Sequence, residues 1–246
     1  MSISMDRVAE VFDRTRGFPQ DVRNKILKTL KEELEGYQRL LDVGVGTGRF
    51  SKSLQDAGFE VVGVDISRKM LERAYERGAE DLIVGDVGSL PFQDSTFDAS
   101  ISVGTLHLIT EWRSALREIA RVTMESLFTI HYSTREYRTT PSGVYKEFVE
   151  KHGYSCSHPG LGEWKLKEIV KPTKYRFVTS YNVSTNERID LLSEKVFSYQ
   201  WNVPEDLHDE AMGGLRRIFA GKEEYTIYVY AYGWGMREIR SYLESK

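Results

Sequence analysis

The hydrophobic positions in the first half of the chain form two alternating patterns. Short apolar runs, of the kind buried in parallel strands, occupy residues 40–43, 60–65, 81–86, 96–103 and 126–132. Stretches with apolar residues at helical spacing lie between these runs. Strand and helix units in direct succession predict an α/β fold built on a doubly wound parallel sheet.

Further elements are predicted on both sides of this regular region. The N-terminal part contains a short amphipathic stretch around Val8 and a longer one over residues 22–34. Strand-like stretches return at residues 175–181 and 225–232, and a helical pattern over residues 204–219 lies between them. We therefore expect a seven-stranded, mostly parallel sheet with helical lid segments.

The composition is that of an ordinary globular chain. The 246 residues are 40% hydrophobic and 29% charged, which suits one large α/β domain. A formal net charge of −3 gives no general attraction to nucleic acid, so that class of partner is disfavoured. No run approaches the roughly 20 apolar residues of a membrane span, and the N-terminus lacks a signal-peptide core. We expect a cytoplasmic protein that binds no membrane.

The cysteine and histidine content argues against a metal centre. Cys156 is the one cysteine in the chain, so an intramolecular disulfide and a cysteine-based zinc site are both excluded. No cluster of histidine and acidic residues has the spacing of a metal site. The sequence therefore predicts a metal-free protein in a reducing compartment.

A glycine-rich turn follows the first predicted strand. Gly44, Gly46 and Gly48 alternate after Asp42, and glycine permits positive φ and a close approach between backbone and ligand. A strand-to-helix turn of a parallel sheet lies at the edge where ligands bind. The spacing differs from the dinucleotide pattern, because Arg49 stands where a glycine is expected. A nicotinamide dehydrogenase is therefore disfavoured.

Acids end three successive predicted strands. They are Asp42, Asp65 and Asp86. An acid about 20 residues after the glycine turn can accept hydrogen bonds from ribose hydroxyls, and the acid on the next strand can reach a base. Carboxylates repel phosphate, and Asp42 opposes a pyrophosphate at this turn. The crevice is thus suited to a cationic adenosine derivative without phosphates.

These segments resemble the motifs of class I S-adenosylmethionine-dependent methyltransferases. Residues 40–50 resemble the first motif, residues 61–70 the acidic second-strand motif, residues 84–92 the adenine motif and residues 94–109 the fourth-strand signature. The similarity is greatest to the small-molecule group that includes the ubiquinone and menaquinone biosynthesis enzymes. It implies S-adenosylmethionine as cofactor, S-adenosylhomocysteine as product, and a small-molecule acceptor.

The resemblance also implies a set of cofactor-binding residues. Gly44 and Gly46 are expected to face the methionine part, and Asp65 the ribose hydroxyls. Ile66 and Met70 are expected at the adenine face. The full set is Asp42, Gly44, Gly46, Asp65, Ile66, Met70, Asp86, Val87 and Val103, in which Asp86 and Val87 read the adenine edge and Val103 lines the methionine end.

Three residues are candidates for acid–base catalysis. They are His107 in the loop after the fourth predicted strand, and His131 and Tyr132 at the end of the fifth. The family often shows a pair of histidines after the fourth strand, but Leu108 occupies the second position here. Methyl transfer is an in-line displacement that positioning and desolvation can catalyse, so a purely structural role for these residues stays open.

The resemblance predicts a single methyltransferase domain over residues 1–246. Within it we expect N-terminal cap helices at 1–36, a cofactor-binding half at 37–132, and lid or acceptor segments at 133–171 and 182–220. Aromatic residues of these segments, Tyr199 or Trp201 among them, are expected to line an enclosed acceptor pocket. A monomer or homodimer is expected, and the acceptor atom is left open as oxygen, nitrogen or carbon. RNA or protein methylation and non-catalytic binding of S-adenosylmethionine are the alternatives.

Overall fold

The structure is a computed structural model that describes residues 3–245, and it contains a seven-stranded sheet. The strands are β1 (Arg39–Val43), β2 (Glu60–Asp65), β3 (Leu82–Val84), β4 (Phe97–Val103), β5 (Thr123–Ser133), β6 (Lys174–Ser184) and β7 (Glu224–Gly235). Their order in the sheet is β3-β2-β1-β4-β5-β7-β6. The pairs among β1 to β5 are parallel, and the sheet as a whole is mostly parallel with some antiparallel strands. The predicted α/β fold is confirmed.

Ten α-helices connect or flank these strands within residues 3–245. They are α1 (Phe12–Arg16), α2 (Gln20–Glu33), α3 (Ser51–Gln55), α4 (Arg68–Glu76), α5 (Trp112–Val122), α6 (Pro141–Lys151), α7 (Glu163–Ile169), α8 (Thr185–Ser193), α9 (Glu205–Ile218) and α10 (Met236–Glu244). In this described part of the chain, none of them combines the length and apolar character needed to cross a bilayer.

The described residues divide into two compact units. The first contains residues 3–131, Pro159–Val178 and 230–245, and the second contains Tyr132–His158 and Thr179–Val229. Strands β5, β6 and β7 each contribute residues to both units. The domain boundaries that the sequence suggested stay a prediction.

The core of the first unit follows the apolar runs of the sequence. Leu41 of β1, Val64 of β2 and Leu127 of β5 are fully buried in one cluster, and Ile119 of α5 and Trp234 of β7 belong to the same cluster. Strands buried on both faces need apolar residues in near-continuous runs, and that requirement makes β1, β2 and β4 recognisable in the sequence.

Four helices, α6, α7, α8 and α10, lie where the sequence indicated no particular helix. Helix α6 begins after Thr140, whose hydroxyl accepts the Gly143 N–H at 3.1 Å, with Pro141 as first helical residue. Helix α8 begins after Ser184, whose hydroxyl accepts the Glu187 N–H at 3.3 Å. Both caps are visible in the sequence as Thr-Pro and Ser-x-x-Glu signals, and the buried residues behind them recur at helical spacing, at 141, 145 and 149 in α6 and at 185, 189 and 192 in α8.

Strand β3 is shorter than the apolar run that predicted it. The run extends to Asp86, whereas β3 ends at Val84. The Asp86 carboxylate accepts the Gly88 N–H at 2.8 Å, which begins a turn two residues after the strand. Such local side-chain bonds compete with the strand ladder.

Trp234 offers a test of the core of the first unit. It is 0% exposed, and its indole N–H donates to the Val170 carbonyl oxygen at 2.9 Å. We expect Trp234→Phe to lower the free energy of unfolding by about 1–3 kcal/mol, because a buried carbonyl loses its donor. Urea denaturation measures this. The control is Trp164→Phe, at a side chain that is 45% exposed; equal losses in both variants would contradict the assignment.

Candidate functional site

The candidate site lies at the point where the strand order reverses. The chain leaves β3 on one side of β1 and continues with β4 on the other side, so the loops after β1 and β4 start from adjacent strands. The Thr105 hydroxyl in the second loop donates to the Gly44 carbonyl oxygen at 3.2 Å. A Cβ on Gly44 would lie 2.2 Å from the Thr105 methyl carbon. The contact therefore requires glycine, and it joins the two loops where open α/β sheets bind ligands.

The glycine turn has the backbone geometry that its sequence predicts. Gly44, Gly46 and Gly48 have φ values of +72°, +56° and +71°. A Cβ on Gly48 would lie 2.9 Å from the Ala74 Cβ, so this glycine lets the turn pack on α4. By contrast, the nearest atom to a Cβ on Gly46 is a backbone oxygen 4.0 Å away. Gly46 thus borders open space, and a ligand can approach its backbone.

Asp65, the last residue of β2, joins two loops through its carboxylate. Its Oδ2 accepts the Gly46 N–H and its Oδ1 accepts the Ser67 N–H, both at 2.9 Å. Burial raises the pKa of Asp65, and these two donors oppose the rise. An ionised carboxylate has about four acceptor positions. The Ile66 N–H also acts on this carboxylate, so at least one position remains for a hydroxyl group of a ligand.

Asp42 lies beneath the turn. Its side chain is only 3% exposed, and Oδ2 accepts the Ser51 hydroxyl at 2.6 Å. Burial raises the pKa of Asp42 to about 7, and the charge of Asp65 adds to the rise. Ser51 is the first residue of α3, so Asp42 fixes the start of that helix under the glycines. A direct contact between Asp42 and a cofactor stays a prediction.

The residues expected at the adenine lie in the loops after β2 and β3. Ile66 is half-buried directly after Asp65. Met70 is buried in α4, and its N–H donates to the Ser67 hydroxyl at 3.1 Å, as the predicted N-cap requires. Asp86 is exposed, whereas Val87 is buried in the core cluster.

The residues expected near the reacting groups lie at the end of β4, in the short turn after it, and in β5. Val103 is half-buried at the end of β4, and His107 is half-buried in a short 3-10 turn, Leu106–Leu108. Burial lowers the pKa of His131 to about 4, and the charge of Lys167 adds to the fall, so the imidazole is neutral at pH 7. Tyr132 belongs to the second unit and is 44% exposed.

The N-terminal segment contacts the glycine turn and the loop after β2. The sequence did not indicate which of its residues make these contacts. Asp13 accepts the Thr47 hydroxyl at 2.6 Å and pairs with Arg77. Asp6 accepts the Ser67 hydroxyl and the Lys69 N–H. Acids in short amphipathic helices read as solvent-facing, and no pattern in the sequence distinguishes these two.

Glu163 is a further residue at this site that the sequence analysis missed. Its side chain is only 4% exposed, and its Oε1 is buried without a hydrogen-bond partner among the described residues. Burial raises its pKa to about 7, and the backbone N–H groups of Thr105 and Leu106 oppose the rise. An acid in the first turn of a helix normally faces solvent and favours the helix dipole. The sequence therefore predicts a solvent-facing Glu163 and does not indicate that it lies against the loop after β4.

The same loop is held by the chain that precedes Glu163. The Gly160 N–H donates to the His107 carbonyl oxygen at 2.9 Å. A Cβ on Gly160 would lie 2.3 Å from the Leu106 carbonyl oxygen. The two backbones therefore approach as closely as glycine permits, and the loop after β4 has little freedom to shift.

Comparison with known proteins assigns this arrangement to a family of domains. A family model described as a methyltransferase domain matches residues 41–126, from β1 into β5. Residues 41–126 thus resemble a methyltransferase domain. This match agrees with the motifs of the class I S-adenosylmethionine-dependent group that the sequence resemblance indicated.

Two curated relatives resemble part of this chain. A demethylmenaquinone methyltransferase of Renibacterium salmoninarum is 47% identical over 88 residues, which cover 35% of this chain and 37% of the relative. An 18S rRNA (guanine-N(7))-methyltransferase of Bos taurus is 45% identical over 69 residues, which cover 27% of this chain and 25% of the relative. The chain thus spans well under half of the length of each of these relatives.

A solved structure extends the similarity in fold over nearly the whole chain. Phosphoethanolamine N-methyltransferase 2 of Haemonchus contortus, in complex with phosphomonomethylethanolamine and S-adenosylhomocysteine, superposes with a TM-score of 0.54. The alignment covers 93% of this chain and 57% of that one, at 19% identity. At this identity the comparison shows the shared fold.

The buried carboxyl of Glu163 predicts a pH-dependent stability. Its pKa is about 7 in the folded chain against an ordinary value of 4.5, so the unfolded chain loses this proton first as the pH rises. Stability then falls between about pH 4.5 and 7, by up to about 3 kcal/mol from this group. We expect Glu163→Gln to reduce the slope of unfolding free energy against pH. Glu168→Gln, at an exposed position of α7, should keep the wild-type slope; identical slopes in the two variants would contradict the assignment.

Proposed function

We propose that the chain transfers a methyl group from S-adenosylmethionine to a small-molecule acceptor and releases S-adenosylhomocysteine. The observation that carries the proposal is the Asp65 carboxylate, which joins the glycine turn to the loop after β2 within the matched methyltransferase domain. This arrangement supports the cofactor assignment more directly than any other contact in the structure.

The acceptor capacity left at Asp65 suits a ribose hydroxyl. One carboxylate oxygen of Asp86 accepts the Gly88 N–H, and the other is available to the adenine amine. The open space beside Gly46 suits the methionine part, whose approach needs a backbone without side chains. Acidic groups around the crevice also favour a sulfonium cation over a phosphate-bearing nucleotide.

Catalysis is proposed to rest on positioning and exclusion of water. The sulfonium already activates the methyl group, so alignment of the acceptor supplies much of the rate. His131 is a weak base, because an effective general base has a pKa near the working pH and that of His131 is about 4. His107 and Tyr132 are the other candidates for acid–base catalysis.

The proposal of a small-molecule acceptor rests on the names of the relatives and on the net charge of the chain. The relative from Renibacterium salmoninarum is named for a quinone precursor, which supports a small molecule. The bovine relative is named for rRNA, so an RNA acceptor is the second candidate. The net charge of −3 favours the first. Non-catalytic binding of S-adenosylmethionine is the alternative outside enzymes, because one fold hosts several functions.

Turnover distinguishes the enzyme from a cofactor-binding protein. We expect a panel of small acceptors, incubated with methyl-tritiated S-adenosylmethionine, to yield at least one labelled product and S-adenosylhomocysteine. A matched panel of RNA and protein acceptors should stay unlabelled. Tight cofactor binding with no labelling in either panel would support the non-catalytic alternative.

Cofactor binding is expected to need no metal ion. The described residues 3–245 contain no group of three or more histidine, cysteine or acidic side chains placed to hold one. Calorimetry of S-adenosylhomocysteine binding, with and without a chelator, should give the same dissociation constant. A loss of binding in the chelator would contradict this expectation.

Asp65→Ala is expected to weaken cofactor binding by about 1.5–3 kcal/mol, or roughly 10–150-fold, since a charged acceptor of buried hydrogen bonds is removed. Asp65→Asn keeps an acceptor oxygen for one backbone N–H and should show an intermediate loss. Asp21→Ala, at an exposed position of α2, is the control. Calorimetry measures affinity and circular dichroism checks the fold. Normal binding by a folded Asp65→Ala variant would remove the ribose assignment.

A further inference from the structure

The second unit contains two half-buried cations among aromatic rings. We call Tyr137, Lys146, Arg188, Phe197, Tyr199 and Tyr225 the cationic cluster. Lys146 comes from α6 and Arg188 from α8, and the rings come from elements of the same unit. None of the proposed cofactor-binding residues belongs to this unit.

Arg188 lacks an acidic partner. Its guanidinium carbon lies 5.1 Å from the centre of the Phe197 ring, and it interacts with the Tyr225 hydroxyl. Its Nε is buried with no hydrogen-bond partner, and no carboxylate of the described residues pairs with it within 4.0 Å. Arginine nitrogens taken out of water normally find an acceptor. One donor of this side chain is therefore directed to a site without a protein acceptor.

Lys146 is held in the same surroundings. Its Nζ lies 4.2 Å from the centre of the Tyr199 ring and 5.8 Å from that of Tyr137. Burial lowers its pKa, and the exposed Glu150 one turn further along α6 opposes that fall without forming an ion pair within 4.0 Å. The charge of Arg188 also reaches Tyr137 and Tyr199. Both cations thus act on the same two tyrosines.

The rings between the cations form a platform. Phe197 and Tyr199 stack at 5.6 Å with an angle of 7° between their planes. Burial raises the pKa of Tyr137 and of Tyr199, so both phenols are neutral at pH 7 and can donate hydrogen bonds. Cation–aromatic contacts stabilise each charge by about 0.5–2 kcal/mol, but they supply no counter-ion.

We propose that the cationic cluster binds a carboxylate attached to an apolar or aromatic body. The guanidinium and the ammonium supply the charge, and the phenols and stacked rings contact the carboxylate and its apolar body. A singly charged carboxylate fits better than a phosphate, since two charges cost more to desolvate among aromatic rings.

Benzoate and its neutral analogue benzamide are the probes. Calorimetry or ligand-observed NMR on the full chain is expected to show benzoate binding and no benzamide binding. Arg188→Gln should weaken benzoate binding at least tenfold, and Lys146→Met should weaken it to a smaller extent, because the ammonium lacks the planar geometry of the guanidinium. Arg216→Gln, at an exposed position of α9, is the matched control and should bind as the wild type.

Three results would overturn the proposal. They are equal binding of benzoate and benzamide, an unchanged affinity in a folded Arg188→Gln variant, and binding of inorganic phosphate in place of benzoate. Thermal unfolding of each variant shows whether it is folded, and Arg188→Lys provides a more conservative change if Arg188→Gln is not.

Binding of S-adenosylhomocysteine by the same variants separates this inference from the proposed function. We expect cofactor affinity to be unchanged in Arg188→Gln while benzoate affinity falls. Loss of cofactor binding by the wild type would reject the proposed function without affecting the benzoate result. Benzoate binding that fails while the cofactor binds would reject the cluster alone.

Discussion

The arrangement of the candidate cofactor site depends on one carboxylate. Asp65 ends β2, and its two oxygens hold the backbone of Gly46 on one side and of Ser67 on the other. The free energy of burying this charge is offset by two charge-assisted hydrogen bonds. Because the donors belong to loops after neighbouring strands, the same bonds set the distance between those loops. A residue predicted to bind a ligand thus also builds the crevice in which the ligand would lie.

Two further buried acids support the loops around Asp65. Asp42 holds Ser51 at the start of α3, below the glycine turn, and Glu163 lies against the loop after β4. Thr105 of that loop contacts Gly44. Burial raises the pKa of both acids, so a proton can replace the counter-ion that neither has. The turn and the loop are therefore fixed by polar groups that contact their backbones rather than by apolar packing alone.

The sequence was sufficient to predict the sheet, because strands buried on both faces need apolar runs and the turns between them need glycine. Asp65 and the glycines were predictable for the same reason: they occupy fixed positions relative to strand ends. Glu163 was not, because its burial depends on how residues 160–163 pack on a loop distant in sequence. Helix α6 was missed although Thr140 and Pro141 mark its start and Tyr145 and Val149 recur at helical spacing, since the aromatic and polar residues of this segment favoured an irregular structure.

The two units differ in the charges that they bury, and this difference relates sequence to function. The first unit encloses Asp42, Asp65 and Glu163, and acidic surroundings favour a cationic ligand. The second encloses Lys146 and Arg188 among aromatic rings, which favours an anion with an apolar body. The family model matches residues 41–126, which all belong to the first unit, so the recognisable motifs accompany the buried acids and not the buried cations.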